Sequence, residues 1–287
     1  MFEVPSNSGL RGDYSTIRPD YTVEQDWRAY TAEEHEIWRL LYRRQSEMLP
    51  RLACREVVDA VRMMDVADAI PDLARVNRQL VAATGWQLVA VPGLIPNEVF
   101  FDHLAHRRFP VTVWIRKREE LDYIVEPDIF HDFFGHVPLL FNPVFASYMQ
   151  AYGEKGVEAL THDGVTMLAR LYWYMVEFGL IRTPDGLRAF GAGILSSHGE
   201  LSYAIESAVP NRIRFDPTRI MRTDYMIDSF QKTYFVLDSF EELFGATQRD
   251  FAAIYDRLRE QTVLPAEAVL TTDRVLHRGT IGRLMAA

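Results

Sequence analysis

Two histidines five positions apart, His131 and His136, lie in the run His131-Asp132-Phe133-Phe134-Gly135-His136-Val137-Pro138, and their spacing limits the local fold. On a regular α-helix a five-residue step turns the side chain by about 140°. Both imidazoles can therefore meet at one point only through a π-like turn or across a helix end. Pro138 supplies a cause for such distortion, because it lacks an N–H and its ring crowds the preceding turn. Gly135 adds local freedom. Taken alone, two histidines among phenylalanines are more often satisfied core residues than ligands.

A second segment changes that balance. The run Leu168-Ala169-Arg170-Leu171-Tyr172-Trp173-Tyr174-Met175-Val176-Glu177-Phe178-Gly179 is apolar nearly all round, so it reads as a buried helix closed by Gly179. Glu177 stands at its C-terminal, partly negative end, where a buried carboxylate needs a cation. An arginine such as Arg170 or Arg182 is one candidate and a metal is the other. Two histidines and one carboxylate form the ligand set of mononuclear non-haem Fe(II) oxygenases, which leaves the opposite positions open. Zinc is the rival metal.

The strings Glu126-Pro127-Asp128-Ile129-Phe130-His131-Asp132-Phe133-Phe134-Gly135-His136-Val137-Pro138-Leu139, Tyr172-Trp173-Tyr174-Met175-Val176-Glu177-Phe178-Gly179-Leu180 and Gly191-Ala192-Gly193-Ile194-Leu195-Ser196-Ser197 resemble the catalytic core of the pterin-dependent aromatic amino acid hydroxylases. The resemblance runs from about Val91 to about Phe240 and more weakly back to Tyr30; three motifs in order make it specific. It implies a monooxygenase that uses dioxygen and a tetrahydropterin to hydroxylate an aromatic amino acid, with Fe(II) held by His131, His136 and Glu177. For the substrate it implies Arg116, fifteen residues before His131, on the carboxylate. Gly193 and Ser196 would lie near the amino acid backbone, Ile124 near the substrate, and Pro127, Trp173 and Phe178 around the aromatic ring. For tetrahydrobiopterin or a related pterin it implies Gly93, Leu94, Ile95 and Asn97 as a cradle, Phe100 as a stacking face, and Asp132 and Ala169 as further contacts. Three positions depart from animal relatives: Asp132 replaces a glutamate, Pro96-Asn97 a serine pair, and Ile124 a threonine. Ile227 aligns where tyrosine-specific relatives place an acidic residue, although a one-residue slip would bring Asp228 there. An apolar residue leaves a phenolic hydroxyl unpaired at a cost of about 1–3 kcal/mol, so phenylalanine is the expected substrate and L-tyrosine the product. A zinc hydrolase using Asp132 or Glu126 as base would lack the usual H-E-x-x-H motif; a non-catalytic helical binding protein would make the same residues structural.

Composition excludes several classes. A net charge of −9 and a pI near 5.4 argue against nucleic-acid and anionic-membrane partners. Cys54 is the single cysteine, so no intrachain disulfide forms and a reducing, cytoplasmic setting is expected. The N-terminus lacks the pattern of a signal peptide. The most apolar segment, Leu80 to Ile95, is interrupted and too short to span a bilayer.

The pattern is mainly α with a minor β component: α+β, in a single catalytic domain of residues 30–263, after an extended arm of residues 1–29 and before a tail of residues 264–287. The capping box Thr31-Ala32-Glu33-Glu34 opens a helix to about Met48. Further helices are expected at Cys54 to Met64, Ile70 to Thr84, Pro143 to Tyr152, Gly164 to Phe178 and Ser239 to Arg257, with strands at Gln87 to Val91 and Val111 to Arg116. About thirty residues precede the capping box, and the stretch from Leu264 has Pro265, Gly279 and no sustained heptads, so a monomer without substrate-driven activation is expected.

Overall fold

The feature that organises the chain is a π-helix, Phe130–His136, plugged into an aromatic core. A computed structural model describes residues 10–281 and 283–285; residues 1–9 of the expected arm and residues 282, 286 and 287 of the expected tail lie outside the described residues. Phe130, Phe133 and Phe134 are fully buried. Trp38 meets Phe130 and Phe133 edge-on at 5.4 and 5.9 Å, and Phe130 stacks on Phe134 at 4.8 Å. Trp38 comes from the helix Ala32–Ser46, which starts at Thr31 with the expected capping box.

Helices dominate, and the strands are short. Gln87–Val91 (β1) and Arg108–Thr112 (β2) form a parallel pair. A five-stranded mixed sheet has the order β4-β3-β6-β5-β8, from Leu180–Thr183 (β3), Gly186–Ala189 (β4), Asn211–Arg214 (β5), Thr233–Leu237 (β6) and Val275–His277 (β8). Ala268–Leu270 (β7) pairs with Arg283–Met285 (β9). The tail segment is tied to the body: Arg219 bridges Asp273, and the backbones of Asp224 and Leu264 are hydrogen-bonded.

Several expected boundaries move, each for a visible reason. The strand placed at Val111 to Arg116 is β2 at Arg108–Thr112, because the next residues turn to a different partner. Thr112 N–H donates to the Asp132 carboxylate, Ile129 N–H to Trp114 O, and Arg116 N–H to Asp128. The helix placed at Ser239 to Arg257 is two, Phe240–Ala246 and Phe251–Arg259, because Asp250 caps the second by accepting from Ala253 N–H. The helix at Ile70 begins at Leu73, where Asp72 caps it. The helix beginning at Pro143 runs on to Thr161, beyond Tyr152.

That longer helix packs across Asn97–Ala105, the helix that carries Phe100. The approach is close at Gly156, where an added Cβ would overlap the ring of fully buried Phe101. Ordinary helix propensity would make Gly156→Ala stabilising by about 1 kcal/mol. Overpacking costs about 1–3 kcal/mol and should win. Gly156→Ala is expected to lower Tm by several degrees in a calorimetric scan; an increase would refute the packing account.

Candidate metal centre and its cavity

The π-helix resolves the spacing problem. Its i→i+5 hydrogen bonding puts residues five apart on one face, so His131 and His136 both point away from the phenylalanine plug. The second ligand segment departs from the α form too: Val165–Tyr172 is an α-helix, but Trp173–Glu177 is a π-helix. Glu177 accordingly turns toward the histidines and not toward an arginine. His136 Nε2 lies 3.2 Å from Glu177 Oε1 and His131 Nε2 lies 3.5 Å from Oε2. One ligand atom from each of the three residues falls within 4.8 Å of the others. Arg170 and Arg182, the alternative partners, are engaged with Met221 O and Asp238.

The electrostatics suit a cation. Burial works against the charge on Glu177, but positive charge at the two facing imidazoles outweighs it and holds its pKa down at about 2, so a metal cation can take the place of those protons. Burial lowers the His131 pKa despite the pull of Glu177, favouring the neutral, ligating form. The tautomer follows from the next contact. Ser196 gives its one hydroxyl proton to Ala192 O, so at 2.9 Å His131 Nδ1–H must donate to Ser196 Oγ. That leaves the Nε2 lone pair toward Glu177. Gly191 lets the segment bearing Ser196 lie against the Glu177 backbone; a Cβ there would overlap Glu177 O.

The cavity around the three ligands branches. One branch is lined by Gly93, Leu94, Ile95, Asn97, Phe100, Pro127, Asp132 and Trp173 together with His131, His136 and Glu177. Among the described residues, the backbone of Gly93 to Ile95 makes a single hydrogen bond, at Leu94 O, and all three residues line this branch. Asp132 is held by Thr112 N–H at 2.8 Å, and burial raises its pKa. Ala169 is buried on the helix behind this wall and does not line it. The donor set fits a divalent metal, and the loop backbone beside the Phe100 ring fits a flat heterocycle that hydrogen-bonds along its edge.

A second branch holds Arg116, Ile124, Phe178, Gly193, Ser196, Glu200 and Ile227. Arg116 is no surface residue: it is buried, and Asp128 takes its Nε and Nη2 at 2.8 and 2.9 Å. A guanidinium has five N–H groups, so its outer edge can still fork onto another carboxylate. Burial disfavours the charge on Asp128, but Arg116 overcomes this and keeps its pKa below the ordinary value. Asp128 also accepts from His131 N–H at 3.0 Å, joining Arg116 to the first ligand. Sequence reasoning passed over Asp128, although a carboxylate three residues before a ligand at a helix start was a legible sign. Trp173 stacks on Tyr225 at 4.3 Å and meets Phe178 at 4.8 Å. Asp228 lines the same cavity as Ile227, so residue 227 alone does not decide which substrate is accepted.

The metal ligands lie where the two branches meet, and the chain belongs to the biopterin-dependent aromatic amino acid hydroxylases, whose family model matches residues 15–264. It is 56% identical over 93% of its length to the phenylalanine-4-hydroxylase of Ralstonia nicotianae, of which it covers 86%. With the phenylalanine-4-hydroxylase of Chromobacterium violaceum it is 54% identical, covering 95% of this chain and 91% of the relative. The iron- and phenylalanine-bound crystal structure of the Chromobacterium violaceum enzyme matches with a TM-score of 0.87 at 53% identity, over 94% of this chain and 97% of that one.

Glu200 was not anticipated from sequence. It is buried, accepts from Tyr234 Oη–H at 2.7 Å and Gln231 N–H at 3.0 Å, and has its pKa raised by burial to about 7. Against an ordinary value of 4.5, the folded state holds the extra proton between pH 4.5 and about 7. Stability therefore falls as pH rises through that window, by on the order of 3 kcal/mol for this group, and the loss is complete above it. The stability difference between Glu200→Gln and the parent should move in the variant's favour from pH 5 to pH 8 in parallel melts. A difference that is flat with pH would refute a raised Glu200.

Proposed function

We propose that the chain hydroxylates L-phenylalanine to L-tyrosine, with Fe(II) and a tetrahydropterin as cofactors. The observation that carries this reading is the convergence of His131, His136 and Glu177 with the Gly93–Phe100 branch and the Arg116 branch on one cavity. The names of the relatives in Ralstonia nicotianae and Chromobacterium violaceum supply the amino acid. Bound iron and the reduced pterin supply dioxygen activation and two electrons.

The side chains bind, orient and dry the reactants. His131, His136 and Glu177 hold the metal by one face, and Ser196 fixes the His131 ring. The free edge of Arg116 takes the substrate carboxylate, with Asp128 behind it as counter-ion. Pro127, Trp173 and Phe178 flank the aromatic ring, and Gly193 and Ile124 shape the space beside it. Phe100 would offer the pterin a stacking face, and the backbone of Gly93 to Ile95 with the side chains of Asn97 and Asp132 would supply its hydrogen-bond partners. Ala169 contributes only from behind the wall.

Residues 30–263 act as the catalytic unit, in a cytoplasmic monomer. Buried, unpaired Cys54 agrees with a reducing compartment, and the described tail folds back onto the body instead of projecting a coiled coil. No helix among the described residues is long and apolar enough to cross a membrane.

Competition between phenylalanine, tyrosine and tryptophan in one assay, with iron and a tetrahydropterin present, tests the activity. Phenylalanine should show the highest kcat/KM, and a higher value for either other amino acid would reject the specificity. Ser196→Ala should weaken iron binding about 10–100-fold without unfolding. Unchanged iron affinity would remove Ser196 from the site.

A further inference from the structure

The Gly93–Ile95 loop lies between Pro92 and Pro96, neither of which has an N–H to donate. Its single hydrogen bond among the described residues comes from far away in sequence: Tyr14 Oη–H donates to Leu94 O at 2.9 Å. We propose that residues 10–14 complete the cofactor site, with Tyr14 as a positioning residue that holds this loop against the pterin; the proposal rests on the cofactor reading above.

Further contacts from residues 10, 11, 12 and 14 place the segment there. Gly12 lies so close to Pro92 that an added Cβ would overlap the Pro92 carbonyl. Arg11 Nη1 donates to both oxygens of Glu120 at 2.8 Å, and its guanidinium covers the Trp114 ring at 4.4 Å. Tyr14 Oη is 2.9 Å from where a Cβ on Gly93 would sit, so it touches the loop along its backbone. Leu10 lines the cavity mouth beside Leu94, where the loop meets His131, Glu177 and the substrate-side residues Ile124 and Phe178. The segment thus borders the cavity through Leu10 and holds the loop through Gly12 and Tyr14.

The chemistry gives Tyr14 a definite task. The bond anchors Leu94 O from the Tyr14 side, and so fixes the orientation in which the loop presents its other backbone groups. Burial, helped by nearby Glu126, pushes the Tyr14 hydroxyl up to about 12, which keeps it a donor throughout the neutral range. A loop that must present backbone groups to a cofactor binds more tightly when it is already ordered.

The test is a calorimetric titration of iron-loaded protein with an oxidised dihydropterin, alongside steady-state kinetics. Tyr14→Phe keeps the ring and loses the donor, and should weaken pterin binding about fivefold, the factor that corresponds to one ordinary hydrogen bond of about 1 kcal/mol. Pterin KM should rise by a similar factor, with kcat, phenylalanine KM and iron content little changed. Arg11→Ala, which frees the segment by a different route, should act in the same direction. Phe100→Ala serves as the reference, since it removes stacking area and no ligand atom. Unchanged pterin affinity in Tyr14→Phe beside weakened affinity in Phe100→Ala overturns the proposal alone. Unchanged affinity in both overturns it together with the cofactor reading.

Discussion

A carboxylate buried between two imidazoles is the constraint on which the rest depends. Glu177 has its charge out of water, 3.2 Å from one histidine and 3.5 Å from the other. An uncompensated buried charge costs several kcal/mol, so the arrangement persists only if a cation or protonated imidazoles balance it. Both backbone segments that deliver these groups are π-helical, an uncommon form often found at functional sites. The strain of that form is offset by packing on the opposite face, where Phe130, Phe133 and Phe134 fill the core against Trp38 and Tyr42. One short element thus divides its residues between stability and chemistry.

Around this point the polar groups form connected pairs. Ser196 sets the His131 tautomer, and Asp128 ties the His131 backbone to Arg116. Thr112 anchors Asp132. The Ser196 and Asp128 ties join His131 to the substrate branch, so a substitution in that branch can be felt at the metal. Fixed donors and acceptors of this sort avoid reorganisation when the reactants arrive.

The sequence exposed what depends on local chemistry. Thr31 and Glu34 announced the first helix, and β1 follows the alternation of Gln87 to Val91. The five-residue histidine spacing demanded a departure from the α-helix, and the π-turn at Phe130–His136 supplies it. What stayed hidden was set by distant partners. Residues Val113 to Arg116 read as strand because they are β-branched and aromatic, yet after Val113 the hydrogen bonds leave β1, with Trp114 and Arg116 paired to Ile129 and Asp128. The π-form of Trp173–Glu177 left no mark in an apolar run. Glu200 and Tyr14 have their roles through Tyr234 and Leu94, which no periodicity connects to them.

The claim that His131, His136 and Glu177 form one metal-binding face is tested most directly by X-ray absorption on the Fe(II)-loaded protein, compared with His136→Ala. The expected spectrum has a first shell of nitrogen and oxygen only, with outer-shell scattering from two imidazoles that falls to one in the variant. A first shell without imidazole scattering, or one that is identical in the variant, would contradict the assignment.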